Sequence, residues 1–293
     1  MNKTCHCCGA EYVSMYAAIQ KYNDSLSGGE KIKKAVNVLL AEKNNYFRIP
    51  EDLEDSYVCL NHACKHIYRD FNKDISEFHA GEYREKQYND SKKMLELKNE
   101  SLRLTRAANQ INLISDFLKP QSSILEVAPG RGFVLKTLAN LGYSNITGVD
   151  IDNKVTLHNE QYNPGIKCIT SDVIDLKENN NYDMVMGFDV LEHIEELEIF
   201  VEKMQSLTKK YVTVQIPVDR PLVPPNHHLL KDPKPWQGSF DGHLHYFTEL
   251  SIIRLFTKND VFKCVFMYKT KPGEVAGGPE LLCVFEKVEN KNA

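Results

Sequence analysis

The amino-acid sequence predicts an α/β fold: a Rossmann-like, seven-stranded mixed sheet with helices on both faces, preceded by a small amino-terminal domain. Two observations support this prediction. From residue 120 onward, short β-like runs alternate with helical runs, a pattern typical of βαβ units and a mostly parallel sheet. Before residue 65 the chain holds five of its eight cysteines, and this uneven distribution indicates a separate unit with its own chemistry.

Seven segments are predicted as strands of the large sheet. They are ILEVA (124–128), ITGVD (146–150), KCIT (167–170), DMVMGF (183–188), YVTVQIP (211–217), FKCVFMYK (262–269) and LLCVFEK (281–287). The last two are joined by TKPGEVAGGPE, which is too short for a helix, so we expect an antiparallel hairpin at one end of the sheet. Helical patterns run from Ser91 to Leu118 and from Val190 to Leu207.

Composition limits the classes of partner. The chain has 293 residues, 42% of them hydrophobic, and a formal net charge of -4, which weighs against a nucleic-acid partner. Its apolar runs are too short to cross a bilayer, and MNKTCHCCGA lacks the apolar segment of a secretory signal. We therefore expect a cytoplasmic protein without a membrane partner.

The early cysteines form two clusters with metal-ligand spacing. Cys5-x2-Cys8 is followed, after a long gap, by Cys59-x4-Cys64 with His62 beside it. Reduced thiols in two such clusters suit tetrahedral Zn²⁺, so the metal ligands are predicted as Cys5, Cys8, Cys59 and Cys64, with His62 as the substitute. The alternative is unpaired thiols on a flexible end. Three later cysteines lie in apolar strands and are predicted to belong to the core, namely Cys168, Cys264 and Cys283.

These patterns divide the chain into three parts. Residues 1–78 are predicted to form a small N-terminal zinc-binding domain with a helical insertion, KIKKAVNVLLAEK. Residues 79–119 form a helical linker and a possible lid. Residues 120–293 form the domain with the large sheet, and Lys119-Pro120 ends the helix before its first strand.

The turn after the first predicted strand indicates the ligand of this domain. A dinucleotide fingerprint requires a third glycine where Leu135 stands, and a P-loop requires Gly-Lys-Ser/Thr, so both phosphate-binding motifs are excluded. What remains is Glu126 at the strand end, Gly130 and Gly132 in the turn, and Asp150 closing the second strand. In open α/β sheets these carboxyl ends bind ligands, and an acid after the second strand can accept both hydroxyls of a ribose.

Five segments of residues 120–290 resemble the class I S-adenosylmethionine-dependent methyltransferases, in this order: LEVAPGRG, TGVDID, ITSDVIDL, YDMVMGFDVLEHIEE and HLHYFTELSIIRLF. The resemblance implies that S-adenosylmethionine (SAM) is the cofactor. The first segment would hold its methionine part, the second its ribose and the third would approach the adenine. The cofactor-binding residues so implied are Glu126, Ala128, Gly130, Gly132, Asp150, Ile151, Asp172, Val173, Phe188 and Asp189. The alternative for Asp189 is a helix cap formed together with Glu192.

One residue departs from the family pattern, since Ala128 replaces the first glycine of the turn. A methyl group is tolerated there if the backbone φ is not positive.

The amino-terminal part resembles sugar methyltransferases that carry a small zinc domain ahead of the catalytic one, on the segments CHCC, CLNHAC and FHAGEYREKQY. In the third segment Tyr83 and Tyr88 would close over the cofactor as a lid, or simply pack on a helix.

Methyl transfer requires alignment of the acceptor and loss of its proton. The long segment after the fifth predicted strand is expected to form the substrate pocket. The predicted catalytic residues are His243 and His245, which precede a helix beginning at Thr248, while His193 would support the pocket. The second choice is Asn226, His227 and His228.

Three functions remain open at this point. The leading hypothesis is SAM-dependent methyl transfer to a small polar acceptor. Its first candidate is a hydroxyl of a sugar or nucleotide-linked sugar in surface-glycan or natural-product biosynthesis. The second is an RNA methyltransferase that uses the zinc module to bind its substrate. The third is a non-enzymatic zinc-containing interaction protein.

Overall fold

A computed structural model describes residues 4–10, 12–14, 56–59, 67–69, 97–177, 181–217, 243–270 and 280–288. Within these ranges the strands are β1 (Tyr12–Ser14), β2 (Ser56–Cys59), β3 (Ile67–Arg69), β4 (Ile124–Val127), β5 (Ile146–Asp150), β6 (Lys167–Thr170), β7 (Tyr182–Phe188), β8 (Thr208–Pro217), β9 (His245–Tyr246), β10 (Phe262–Lys269) and β11 (Glu280–Lys287). The helices are α1 (Leu97–Leu113), α2 (Phe133–Asn140), α3 (Asn153–Tyr162), α4 (Leu197–Leu207) and α5 (Glu249–Thr257).

The large sheet confirms the predicted seven strands and their mixed directions. Its order is β10-β11-β8-β7-β4-β5-β6. Strands β4 to β8 run parallel, whereas β10 and β11 form an antiparallel hairpin at one end and β11 pairs antiparallel with β8. The predicted boundaries differ mainly in β8, which begins three residues earlier than expected, at Thr208.

Helices pack on both faces of this sheet, as predicted. Successive residues of β4 belong to different apolar clusters: Leu125 packs with α4 and α5, and Ile124 packs with α1 and α2. Side chains of a strand alternate between the two faces, so a strand covered on both sides is buried along its whole length and mostly apolar. All four residues of β4 and all five of β5 are accordingly buried.

The predicted helix from Val190 to Leu207 is wrong in its first half. The chain forms a 3₁₀ turn at Leu191–His193, and α4 begins only at Leu197. The interruption leaves the carbonyl oxygen of Ile194 available to His245, whose Nε2 lies 2.8 Å from it. In a continuous helix that carbonyl would bond to the amide four residues later.

Two other predicted helices are largely confirmed, whereas the predicted helical insertion at residues 31–43 lies outside the described residues. Helix α1 ends at Leu113, where the sequence predicted Leu118, and a 3₁₀ turn follows at Ser115–Phe117, while residues 91–96 lie outside the described part. Helix α5 begins after Thr248, as predicted. Its first turn is closed by a reciprocal capping box between Thr248 and Ser251.

A second, four-stranded sheet connects the amino-terminal segments to the large domain. Its order is β1-β2-β3-β9, all antiparallel, and Tyr68 of β3 is registered with His245 of β9. Strand β9 comes from the segment leading into α5, so this sheet crosses the predicted boundary between residues 1–78 and 120–293. Among the described residues, no helix is long and apolar enough to cross a membrane.

Candidate active site

The turn between β4 and α2 is built on two glycines with positive φ. At Gly132 (φ 73°), an added Cβ would lie 1.7 Å from Oδ1 of Asn159, so glycine is required by space as well as by conformation. At Gly130 (φ 53°), an added Cβ would meet no described atom within 4 Å, although Nδ2 of Asn159 donates to its carbonyl at 2.8 Å. Within the described part of the chain, the turn is therefore closely packed at Gly132 and leaves space at Gly130.

Ala128 has a positive φ, the backbone conformation in which a methyl group is not expected to be tolerated at this position. Its φ is 55°, in the left-handed region, and its amide donates to the carbonyl of Val149 at 2.8 Å. Glycine would adopt this positive φ without steric cost, which explains why the pattern that the sequence resembles has glycine at this position. An alanine held in this region costs about 1–2 kcal/mol.

Glu126 is a buried carboxyl group beside the turn. The residue is 4% exposed, and burial raises its pKa well above the usual range, an effect that a hydrogen bond from the backbone of Leu135 only partly offsets. Its Oε2 has no hydrogen-bond partner among the described residues. A buried carboxyl oxygen of this kind is satisfied when a ligand supplies a donor.

Acidic residues also end the next two strands. Asp150 is 4% exposed and is registered with Thr170 at the end of β6, and its Oδ1 accepts from the amide of Asp152 at 2.9 Å. Beside it, the apolar side chain of Ile151 is 61% exposed. Two residues after β6, Asp172 accepts from the amide of Ile174 at 3.0 Å and so caps a short 3₁₀ turn containing the buried Val173.

A charged network, which the sequence analysis missed, lies at the ends of β7 and β11. Nη2 of Arg106 lies 2.6 Å from Oδ2 of Asp189 and 2.6 Å from Oε1 of Glu280. Burial alone would lower the pKa of Arg106, but the two carboxylates outweigh it and raise that pKa. Burial, opposed by Arg106 and reinforced by Asp189, raises the pKa of Glu280 to about 7.

Two glutamines extend this network into the sheet. Nε2 of Gln110 donates to Oε1 of Gln215 at 2.9 Å, and Gln215 donates in turn to Glu280. A signal was available in the sequence, because Gln215 is a polar residue inside the apolar strand YVTVQIP, and Gln110 lies one helical turn after Arg106. Phe188, at the end of β7, is buried beside these groups, and Asp189 follows it with φ 54°.

The two predicted catalytic histidines occupy different environments. His245 is fully buried in β9, where Nε2 lies 2.8 Å from the carbonyl oxygen of Ile194 and the ring lies 5.2 Å from that of Tyr68. His243 is only partly buried, and its ring lies 4.7 Å from that of His193 at an interplanar angle of 78°. His245 thus holds β9 in place, whereas His243 lies at a polar cluster.

This cluster also contains Glu192, which the sequence analysis considered only as part of a helix cap. One ligand-type atom from each of Glu192, His193 and His243 lies within 4.8 Å of the others. The Glu192 side chain is 2% exposed, and its backbone carbonyl accepts from the amide of Leu244 at 2.7 Å. The sequence signal was the Glu-His pair directly after a buried strand.

The predicted zinc ligands are only partly described. Cys5 and Cys8 lie in a tight turn, in which the amide of Gly9 (φ 69°) donates to the carbonyl of Cys5 at 2.8 Å. Cys59 ends β2, and only its backbone is described. The predictions for Cys64, His62, Tyr83, Tyr88, Asn226, His227 and His228 fall outside the described residues. Of the predicted core cysteines, Cys283 is fully buried, and Cys168 and Cys264 are partly buried against the core clusters.

Comparison with known proteins shows the family to which the chain belongs. The model of a methyltransferase domain family matches residues 99–261, more than half of the chain. The chain belongs to this methyltransferase family. It is a SAM-dependent methyltransferase, which confirms the resemblance of residues 120–290 to the class I SAM-dependent methyltransferases. None of the curated proteins matches this methyltransferase significantly by sequence.

Solved structures of other methyltransferases share its fold. A magnesium protoporphyrin IX methyltransferase from Synechocystis with bound SAM has 15% identity and a TM-score of 0.53, and the match covers 75% of this chain and 100% of that one. A 1,6-didemethyltoxoflavin-N1-methyltransferase from Burkholderia thailandensis, with its acceptor and S-adenosylhomocysteine bound, has 13% identity and a TM-score of 0.53, covering 78% and 98%. At these sequence identities, the similarity to both structures shows a shared fold and nothing about the acceptor.

Proposed function

We propose that this methyltransferase transfers the methyl group of SAM to a small polar acceptor, and specifically to a hydroxyl of a sugar or nucleotide-linked sugar. The observation that carries the proposal is the glycine turn, which leaves space at Gly130 among the described residues and is flanked by the buried carboxyl group of Glu126. The sulfonium of SAM supplies an already activated methyl group. The protein has to bind the two substrates, align them and assist loss of the acceptor's proton.

The methionine part of the cofactor is proposed to bind at the turn formed by Ala128, Gly130 and Gly132. An ammonium group there would supply the donor that Oε2 of Glu126 requires. The space at Gly130 admits a ligand close to the backbone. These two features fit the charge and the size of the methionine part.

The ribose and the adenine are proposed to bind at the ends of β5 and β6. A carboxylate accepts up to four hydrogen bonds, so the bond from Asp152 to Asp150 is compatible with bonds from ribose hydroxyls. The exposed side chain of Ile151 offers an apolar surface to the adenine, and Asp172 and Val173 lie in the short turn after β6. Phe188 and Asp189 would then face the reacting end of the cofactor.

The acceptor is proposed to bind beside β7 and β8, where the edge of the sheet is polar. Asp189 is the more exposed partner of Arg106, with 39% of its side chain accessible, and it offers oxygen atoms to hydroxyl donors. His243 lies in the chain directly before β9 and is the residue proposed to assist loss of the proton. His245 is less suited to this role, because it is fully buried and its Nε2 lies within hydrogen-bond distance of Ile194.

The same edge argues against an RNA acceptor. Arg106 is shared between two carboxylates, Asp189 and Glu280, so this group of three carries excess negative charge when both acids are ionised. Such a surface repels a phosphate backbone, in agreement with the net charge of -4. An uncharged sugar fits this edge, and in a nucleotide-linked acceptor the sugar ring, not the phosphates, would lie against these carboxylates.

We further propose that the amino-terminal segments bind Zn²⁺ through Cys5, Cys8, Cys59 and Cys64. The turn at Cys5–Gly9 is followed by β1, and the pairing of Tyr12 with Cys59 brings the end of β2 next to the chain leaving that turn. Thiolate ligands require a reducing environment, so the cytoplasm is the proposed location.

Calorimetry and an acceptor screen test the proposal. S-adenosylhomocysteine should bind with micromolar affinity, on the order of -7 to -8 kcal/mol, and Asp150→Ala should weaken it markedly. A panel of nucleotide sugars, screened by release of S-adenosylhomocysteine, should contain an acceptor. Unchanged affinity in Asp150→Ala would refute the proposed ribose site. A panel of small planar heterocycles that reacted while all sugars failed would refute the proposed acceptor.

A further inference from the structure

We infer that Glu192, His193 and His243 form a binding site for a divalent transition-metal cation at the acceptor end of the active site. This inference rests on the proposed function for its role in catalysis. The cluster combines one carboxylate with two imidazoles, and one ligand atom from each lies within 4.8 Å of the others. Two histidines and one carboxylate are a donor set that binds zinc, iron and related metals while leaving positions open for other ligands.

The spacing of these atoms fits a shared cation. Metal–ligand bonds to imidazole nitrogen and carboxylate oxygen are about 2.0–2.2 Å long, so two donors on one ion lie at most about 4.2 Å apart. Oε1 of Glu192 and Nε2 of His193 are 3.9 Å apart, too far for a hydrogen bond and within the range of a shared metal. Three donors spread around one ion lie about 3.4–3.6 Å apart, so pairs that are up to 4.8 Å apart shorten by at most about 1.4 Å when the ion binds, which side-chain rotation provides.

Burial of Glu192 adds a second, independent observation. Its side chain is 2% exposed, so a cation bound to it would be shielded from water, where charge–charge attraction is stronger than at the surface. The neighbouring side chains of the cluster are imidazoles, of which His193 is 16% exposed. A divalent cation bound between them would stabilise the carboxylate more than a neutral imidazole does.

The backbone holds the two segments of the cluster in place. Glu192 and His193 lie in the 3₁₀ turn after β7, and the amide of His193 donates to Val190 at 3.0 Å. His243 comes from another part of the chain, fixed by the bond from Leu244 to the carbonyl of Glu192 at 2.7 Å. A site assembled in advance loses less entropy when it binds its ion.

The cation would activate the acceptor as a Lewis acid. A hydroxyl oxygen bound to it has a lowered pKa, so its O–H bond breaks and the proton passes to solvent. The oxygen then forms a bond to the methyl carbon while the carbon–sulfur bond breaks, and its electron pair stays on sulfur. The products are the methyl ether and neutral S-adenosylhomocysteine, and His243 assists as a ligand of the cation.

Mn²⁺ is the probe that separates this site from the proposed cysteine site, because Mn²⁺ prefers oxygen and nitrogen ligands over thiolates. Chelator-treated protein should bind one Mn²⁺ per chain in a titration followed by electron paramagnetic resonance. Glu192→Gln and His243→Gln should each weaken binding by about 100-fold or more, since even outer-shell changes cost about 10- to 100-fold. His158→Gln, which changes a histidine stacked on Tyr162, is the matched control and should bind as the wild type does.

Binding of S-adenosylhomocysteine, measured on the same samples, shows whether each variant is folded. If Glu192→Gln does not fold, His193→Gln takes its place with the same expected loss of Mn²⁺. Wild-type protein that binds S-adenosylhomocysteine but neither Mn²⁺ nor Co²⁺ would overturn the metal site and leave the proposed methyl transfer intact. Unchanged Mn²⁺ affinity in the folded variants would overturn it as well. A protein that binds Mn²⁺ but no S-adenosylhomocysteine would instead contradict the proposed cofactor site.

Discussion

The amide of Ala128 donates to the carbonyl of Val149 at 2.8 Å while Ala128 itself is held at φ 55°. This bond ties the first residue of the glycine turn to the neighbouring strand β5. A side chain is thus kept in a conformation that glycine adopts without cost. The strain lies at the position where the chain departs from its family's pattern.

Ala128→Gly should therefore stabilise the protein. Relief of the left-handed strain stabilises the folded state by about 1–2 kcal/mol, and the greater freedom of glycine in the unfolded chain offsets about 0.4–1 kcal/mol of this, so the net gain is between about 0 and 1.6 kcal/mol. Urea unfolding should show a higher midpoint with an unchanged slope. The control is Ala139→Gly on the exposed face of α2, which should destabilise by about 0.5–1 kcal/mol. Equal losses in both variants would contradict the strain at Ala128.

The two glycines of the turn should respond differently to alanine. Gly132→Ala would place a Cβ 1.7 Å from Oδ1 of Asn159, so we expect loss of stability and of cofactor binding together. Gly130→Ala adds a Cβ with no described atom within 4 Å, and its positive φ costs about 1–2 kcal/mol. It should remain folded and lose affinity for S-adenosylhomocysteine by about tenfold or more, because the methyl group occupies the ligand's side. Full affinity in folded Gly130→Ala would move the cofactor away from this turn.

Glu280 should make stability fall as pH rises from about 4.5 to 7. Its pKa is about 7 in the folded protein against an ordinary value of 4.5, so between these values the folded state holds a proton that the unfolded state has lost. The charged groups around it are Arg106 and Asp189, with Arg103 further away. Compared with wild type, Glu280→Gln should gain free energy of unfolding across this window. A difference independent of pH would show that Glu280 titrates normally.

The sequence predicted the large sheet well because parallel strands buried on both faces are continuous apolar runs bounded by turns. It also placed Glu126 and Asp150 at strand ends, since their positions follow from the strands alone. It could not predict the network of Arg106 and Glu280, which are 174 residues apart and meet only through packing. The break before Leu197 was missed for a similar reason, because the carbonyl of Ile194 is used by His245 from a distant strand.

Removal of one predicted thiolate should release the zinc of the amino-terminal segments. Cys8→Ser should lower the zinc content by about one atom per chain, because a neutral hydroxyl is a poor ligand for Zn²⁺. His158→Gln, which changes a residue outside both proposed metal sites, is the control and should keep that atom. Elemental analysis of both proteins gives the answer. Full zinc content in Cys8→Ser would exclude this cysteine from the ligand set.

His243 and His245 should separate into a functional and a structural residue. His243→Ala removes a partly buried side chain beside His193, so methyl transfer should fall by about 10²-fold or more while the affinity for S-adenosylhomocysteine stays nearly unchanged. His245→Ala leaves a cavity between β9 and Tyr68 and an unpaired carbonyl at Ile194, which should cost about 2–4 kcal/mol of unfolding free energy. Turnover and urea unfolding, measured for both variants, test the division. His245 and Tyr68 are registered across β9 and β3, so a stable and fully active His245→Ala protein would mean that the backbone pairing of these strands alone holds this segment. A fully active His243→Ala protein would exclude His243 from the reaction.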